Sequence, residues 1–431
     1  MPNFQFPDFQ EKVTVEQISR ACNLSADTIV QNFVINSSGA GWHQYLGQNR
    51  SGPSATAIGL SILSMLDRPF QYANLAKEEL YKSQFRSKSN LAVEGGWTFP
   101  SIGAYPITEA TSYVIYGLII SGESLLSNRA VQKGVEWLKN NQNADGGWGS
   151  VHDSASRTYS TYWATCAVSL SRIHYDILDM ARTWVKLHQN SDGGWGEIPT
   201  KLSTPVHTAL GVLTLLNCGE DPVSSPIQSA IGWLYRNWNQ DTMWESQDMH
   251  EEWDIARGSN QWDRVRIRHF QTQWVVLALL NGGIGIYRRE VFRAINWIIR
   301  TQQPEGYWHH PSVGNAKSIW GVHDSTLVLT TFLRSFGSVS HTGVIEWLGT
   351  SVVFHKEGAT SSFGILLARQ LFGTSKRLVL KYLSFLLAVV SLLAILLIMP
   401  AMGFSWRDVL VAFFIPLVFF LIQLIIYRPR A

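Results

Sequence analysis

The chain has 431 residues, 46% of them hydrophobic, with 35 lysines and arginines against 32 aspartates and glutamates and a formal charge of +3. That composition excludes intrinsic disorder, and three scattered cysteines, Cys22, Cys166 and Cys218, exclude a disulfide scaffold and fit a reducing compartment. So small a charge on so long a chain gives no basis for a nucleic-acid partner, and none is expected.

Along the chain, the first twelve residues carry no basic segment followed by an apolar run, so no secretory signal is read there. Apolar helices rich in small residues and threonine are then expected near 54, 108, 160, 204, 269 and 323, each apolar around most of its circumference and therefore buried. Between them lie more polar, amphipathic segments that end in tryptophan-bearing turns. Four of these align without gaps at a constant Trp-to-Trp spacing: Trp137 to Trp148, Trp184 to Trp195, Trp233 to Trp244 and Trp297 to Trp308. In three, a glutamine precedes the second tryptophan by the same distance, at Gln142, Gln189 and Gln302, and glycines in the turn supply a positive φ that stops the helix. Gly41-Trp42 and Gly95-Gly96-Trp97 provide two earlier turn halves, and Trp347-Leu348 reads as the start of a further copy. Residues 246–266 interrupt the rhythm with a polar insertion that reads as a surface excursion, a lid or a partner surface.

The repeat predicts an all-α fold, an α/α toroid of about six helical hairpins with the apolar helices inside, occupying residues 1–375. Beyond it, residues 382–399 and 409–427 are apolar for 18 and 19 residues, which at about 1.5 Å per residue spans most of a hydrocarbon layer about 30 Å thick. Lys376, Arg377, Lys381, Arg428 and Arg430 flank the pair, while the loop between carries a balanced Arg407 and Asp408. Residues 376–431 are therefore expected to be a two-helix membrane anchor with both flanks and the main domain on the cytoplasmic side, making the lipid bilayer the one partner that the sequence specifies.

A glutamine ahead of a Gly-x-Trp turn, repeated along an all-α chain, resembles the QW repeat of the squalene and oxidosqualene cyclases and, more loosely, the barrel of the protein prenyltransferase β-subunit. The resemblance implies a toroid holding a polyisoprenoid in an apolar interior, with Gln142, Trp148, Gln189, Trp195, Gln302 and Trp308 as scaffold. Cyclases of this type begin by protonating an alkene or epoxide. The D-x-D-D motif of the bacterial squalene cyclases is absent from the chain, but Val322-His323-Asp324-Ser325-Thr326 is similar to the V-S-D-C-T segment of the oxidosqualene cyclases. Asp324 is thus the candidate acid and His323 its partner. Placed at the start of the last apolar helix, Asp324 has an N-cap as its plain alternative role.

Tyr116, Tyr162, Trp163, Phe270, Trp274 and Phe332 lie on the apolar helices, where their π faces are candidates for contact with an isoprenoid or its carbocation. No metal or cofactor is expected: D-D-x-x-D is absent, and neither Cys166 nor the histidines around it show a metal-ligand spacing. Two readings follow from different classes. One is a membrane-anchored terpene cyclase or isomerase, and the other a non-catalytic module that binds an isoprenoid, a lipid or a protein.

Overall fold

The computed structural model describes residues 13–353 apart from short breaks at 38, 88–92, 100–104, 125, 172–174, 259–260, 284–287, 338–343 and 348–349. The chain divides into two compact units, Met1–Ala359 and Thr360–Ala431, and the described residues all belong to the first. Among them no helix is long and apolar enough to cross a membrane. The expected spans at 382–399 and 409–427 lie outside the described residues.

Among the described residues, twelve helices alternate between an outer and an inner layer. The inner set is α2 (Pro53–Met65), α4 (Thr108–Ile120), α6 (Thr158–Ser171), α8 (Pro205–Asn217), α10 (Gln271–Asn281) and α12 (Ile319–Gly337). These are the six apolar helices expected from the sequence. Each packs on the next, and α12 packs back on α2, so the inner layer is a closed ring. The outer set is α1 (Val15–Gln31), α3 (Ala73–Lys82), α5 (Arg129–Asn140), α7 (Tyr175–Leu187), α9 (Ser225–Arg236) and α11 (Arg289–Thr301). Their single buried stripe rests on the inner ring, as in α5, where Val131, Gly134, Val135, Trp137 and Leu138 face inward.

The repeated tryptophans work as hairpin clamps. In all six turns the indole N–H donates to a backbone carbonyl at the end of the preceding outer helix: Trp42 to Ile29, Trp97 to Leu80, Trp148 to Leu138, Trp195 to Val185, Trp244 to Leu234 and Trp308 to Ile298, at 2.7–3.0 Å. Each indole thereby adds a donor to a carbonyl of the last helical turn, where the regular i→i+4 bonds run out. The glutamines tie neighbouring outer helices together. Gln142 donates to Gly146 O and to Ile177 O of α7, Gln189 to Gly193 O and Pro226 O of α9, and Gln302 to Gly306 O and Ala21 O of α1. Gln84 makes the same pair of bonds, to Gly95 O and Ala130 O of α5, although its separation from Trp97 breaks the repeat spacing. The hairpin of Trp244 lacks the repeat glutamine; instead Arg288, at the entry to α11, stands over Tyr235 and Arg293 of α11 over Trp238.

Glycine is required where a turn meets the next outer helix. Gly306 has φ +92°, and an added Cβ would stand 2.3 Å from Leu24 O of α1; Gly122 has φ +95° with nothing within 4 Å of the same position. Backbone conformation alone therefore makes alanine cost about 1–2 kcal/mol at either site. Overpacking adds roughly 1–3 kcal/mol at Gly306 only. Urea midpoints are expected to fall distinctly further for Gly306→Ala than for Gly122→Ala; equal losses would show that the α1 contact is soft.

Two expectations need correction. The insertion within 246–266 is no plain surface excursion but a hairpin of β4 (Glu251–Gly258) and β5 (Gln261–Ile267), with Glu251 paired to Ile267 and Trp253 to Val265; its shorter companions are β1 (Val13–Thr14), β2 (Val34–Asn36), β3 (Gly39–Gly41), β6 (Trp308–His309), β7 (Lys317–Ser318), β8 (Val344–Trp347) and β9 (Thr350–Val353). Strand alternation explains the hairpin: Glu252 and Asp254 point outward to Arg264 and Arg266, whereas Glu251 and Trp253 turn inward. Trp347 does not open another helix. It ends β8, whose Val-Ile-Glu-Trp sequence favours a strand, and β8 pairs with β9 in a three-stranded sheet with β1.

Candidate active site

The N-terminal ends of the inner helices lie at one rim of the ring, and most of the buried ionisable groups among the described residues lie there. Asp324 is among them, 7% exposed. It sits inside α12, which begins at Ile319, so it is not at the start of the helix as expected and does not cap it. His323 Nδ1 lies 2.8 Å from Asp324 Oδ1, and His323 Nε2 lies 3.2 Å from the Tyr116 hydroxyl. Burial raises the Asp324 pKa above its ordinary value, while the hydrogen bonds from His323 and from the Trp274 indole pull it part of the way back.

Around this pair the aromatic candidates meet edge to face. Trp163 contacts Tyr116, Tyr162 and Trp274 at centroid separations of 5.7, 5.3 and 5.8 Å, and Tyr116 contacts His323 at 5.5 Å. Tyr113 joins from α4, 4.5 Å from Trp163. The Trp163 indole N–H is buried without a hydrogen-bond partner, an uncommon state for a tryptophan in a core. The other two candidates lie apart from this group. Phe270 sits at the rim against Gly321 and His310, and Phe332 packs on Phe292 of the outer helix α11 at 5.2 Å.

A second cluster, which sequence spacing did not reveal, occupies the same rim. Glu251 of β4 is 1% exposed, and its Oε1 lies 3.0 Å from both His207 Nε2 of α8 and His269 Nε2 just before α10. His207 is oriented by Thr204, whose hydroxyl is 2.7 Å from Nδ1. Burial lowers the His207 pKa; burial alone would raise that of Glu251, but the hydrogen bonds from the two histidines hold it well below the usual carboxylate range. Arg157, over the face of Trp253, pairs with Glu197 and reaches to 3.8 Å from Glu251 Oε2. The Tyr159 ring, 4.4 Å from His269 and with its hydroxyl 2.5 Å from that of Tyr113, links the two clusters. Glu109 completes the rim, its Oε1 accepting from Ser150 and Ser160, with burial raising its pKa. A 540 Å³ cleft elsewhere on the molecule, lined by Tyr81, Gln84 and Lys133, includes none of these residues.

A ring of inner helices with buried acids at one rim defines the class: an α/α toroid with an enclosed polar and aromatic site. The sequence matches the prenyltransferase alpha-alpha toroid domain over residues 40–260, and the chain belongs to that family, the cyclase and prenyltransferase type that its QW-like turns indicate. Residues 206–317 also match the squalene-hopene cyclase C-terminal domain. Among curated proteins, enfumafungin synthase efuA of Hormonema carpetanum is 36% identical over 67 residues, and the terpene cyclase-glycosyl transferase fusion protein fsoA of Humicola fuscoatra 37% identical over 57. These matches cover 15% and 13% of this chain but 5% and 4% of those proteins. Among solved structures, the type II terpene cyclase MstE from Scytonema, in complex with geranylgeranyl dihydroxybenzoate, aligns with a TM-score of 0.50 at 16% identity over 74% of this chain and 97% of its own. Its complex with merosterolic acid A aligns at 0.51 and 16% identity, over 74% and 98%. At such identity these two alignments establish the shared fold.

Proposed function

We propose that the chain is a membrane-anchored, terpene cyclase-like protein that uses Asp324 to start the cyclisation or isomerisation of a polyisoprenoid. The observation that carries this reading is a buried carboxyl with a raised pKa, hydrogen-bonded to a histidine and surrounded by aromatic rings. With His323 Nδ1–H donating to Oδ1, Oδ2 carries the proton; its transfer to an alkene carbon leaves a carboxylate that the same hydrogen bond stabilises. The tertiary cation formed on the isoprenoid then meets the faces of Tyr113, Tyr116, Tyr162, Trp163 and Trp274. Attack by an internal double bond closes a ring, and loss of a proton ends the reaction. Lipid extracted from purified protein is the direct test: wild type is expected to convert a bound isoprenoid that Asp324→Asn leaves unchanged.

One observation favours a second reading. The aromatic rings at the centre touch one another, an arrangement suited to holding a ligand or bracing the ring without turnover. In that case the chain is a non-catalytic isoprenoid-binding or protein-interaction module, and extracted lipid is the same from wild type and Asp324→Asn.

The anchor belongs to the same proposal, on the strength of the two apolar stretches and their basic flanks. The toroid then lies on the cytoplasmic face, where a bilayer-dissolved substrate reaches it laterally. The chain is expected to stay in the membrane pellet after alkaline carbonate and to move to the supernatant when residues 376–431 are deleted. Release of the intact chain by carbonate would overturn the anchor.

A further inference from the structure

We infer that His207, Glu251 and His269 form a binding site for a divalent transition-metal ion of the zinc class. The inference does not depend on the cyclase reading. The three ligand atoms lie within 4.8 Å of one another on residues that are all buried. Two imidazole nitrogens and one carboxylate oxygen are a recurrent donor set for zinc sites that keep a fourth position for an exchangeable ligand. Metal–nitrogen bonds of about 2.0–2.1 Å place neighbouring ligand atoms about 3.3 Å apart around a tetrahedral ion. The 3.0 Å from Glu251 Oε1 to each Nε2 therefore needs to open by only a few tenths of an ångström.

Three further observations point the same way. Both imidazoles direct Nε2 at one carboxylate oxygen, and Thr204 beside His207 Nδ1 is the kind of outer partner that fixes the orientation of a metal-bound ring. Glu251 Oε2 is buried and accepts no hydrogen bond. The charges also leave room for a cation: Arg157 pairs with Glu197, which leaves the Glu251 carboxylate without a full positive charge in hydrogen-bond contact. The ligands come from α8, the β4–β5 hairpin and the segment just before α10, so an ion bound there would pin the hairpin to the ring.

The test uses the intact purified chain, stripped with a chelator, dialysed against zinc and desalted. Elemental analysis is expected to find about one zinc per chain, with occupancy reduced roughly tenfold or more in His207→Ala, His269→Ala and Glu251→Gln. His152→Ala, at a half-exposed histidine, is expected to leave it unchanged. Cobalt loading of the wild type, which needs no variant to fold, is expected to give visible ligand-field bands that zinc abolishes. A folded wild-type chain that retains no zinc and shows no cobalt bands would overturn the site and leave the cluster as hydrogen bonds alone. Metal content is read without turnover, so an inactive protein does not confuse the result.

Discussion

Asp324→Asn is expected to slow conversion of a polyisoprenoid by about 10²–10⁴-fold, the range for loss of a positioned acid. The same change should make the protein more stable relative to wild type at pH 8 than at pH 5. The folded-state pKa of Asp324 is raised by burial, so what the neutral carboxyl contributes to stability is complete below the ordinary aspartate value and is lost as pH rises through the folded value. An asparagine keeps the shape, still accepts from His323, and has no proton to lose. Lost turnover with a gain in urea midpoint at the higher pH would mark a site in which activity opposes stability. If activity instead declined in step with the folded fraction at both pH values, Asp324 would be a structural residue.

Trp195→Ala should bring the protein close to unfolding. The indole is fully buried, and removing such a side chain typically costs about 3–5 kcal/mol. It also removes the indole hydrogen bond from Val185 O, which keeps only the longer bond from His188 N at 3.3 Å, for about 0.5–1.5 kcal/mol more. Domains of this kind are commonly stable by about 5–15 kcal/mol, so the loss consumes much of the margin. Gly211 of α8 lies against the ring, where an added Cβ would stand 2.5 Å from the indole, so the groove is shaped to tryptophan. Trp195→Phe keeps most of the packing and removes the hydrogen bond, and should cost much less. Comparable urea midpoints for wild type and Trp195→Ala would show that the clamp is dispensable.

The ring was legible because its clamps are local. A turn tryptophan must reach back to the end of its own outer helix, so stereochemistry fixes the interval, and Trp137, Trp184, Trp233 and Trp297 mark those helices in the sequence. Where the chain between helix and turn is longer, as from Gln84 to Trp97, the same hydrogen bonds form without a recognisable interval. Asp324 could be picked out by its neighbours in sequence, but its place in α12 could not, because the helix extends back over Ile319-Trp320-Gly321-Val322. His207, Glu251 and His269 are 44 and 18 residues apart, so only the packing of α10 on α8, with the β4–β5 hairpin folded between them, brings them together. The hairpin was missed because its composition is polar; the alternation of Glu251, Trp253, Val265 and Ile267 with charged residues was the available signal.

The bonds that close the circle join distant parts of the chain. Gln302 reaches Ala21, and Ser25 and Thr28 donate to the carbonyls of Gly306 and Glu305, across separations of 277 to 281 residues. An open stack of hairpins can lengthen or shorten one unit at a time, but this one cannot. During synthesis α1 emerges well before α11 and α12, and the part of its apolar stripe that they cover stays exposed until they are complete. Contacts of such high sequence separation form slowly. Folding therefore ends with a single closing event, and a nascent or truncated chain that lacks either end presents two unpaired faces to its surroundings.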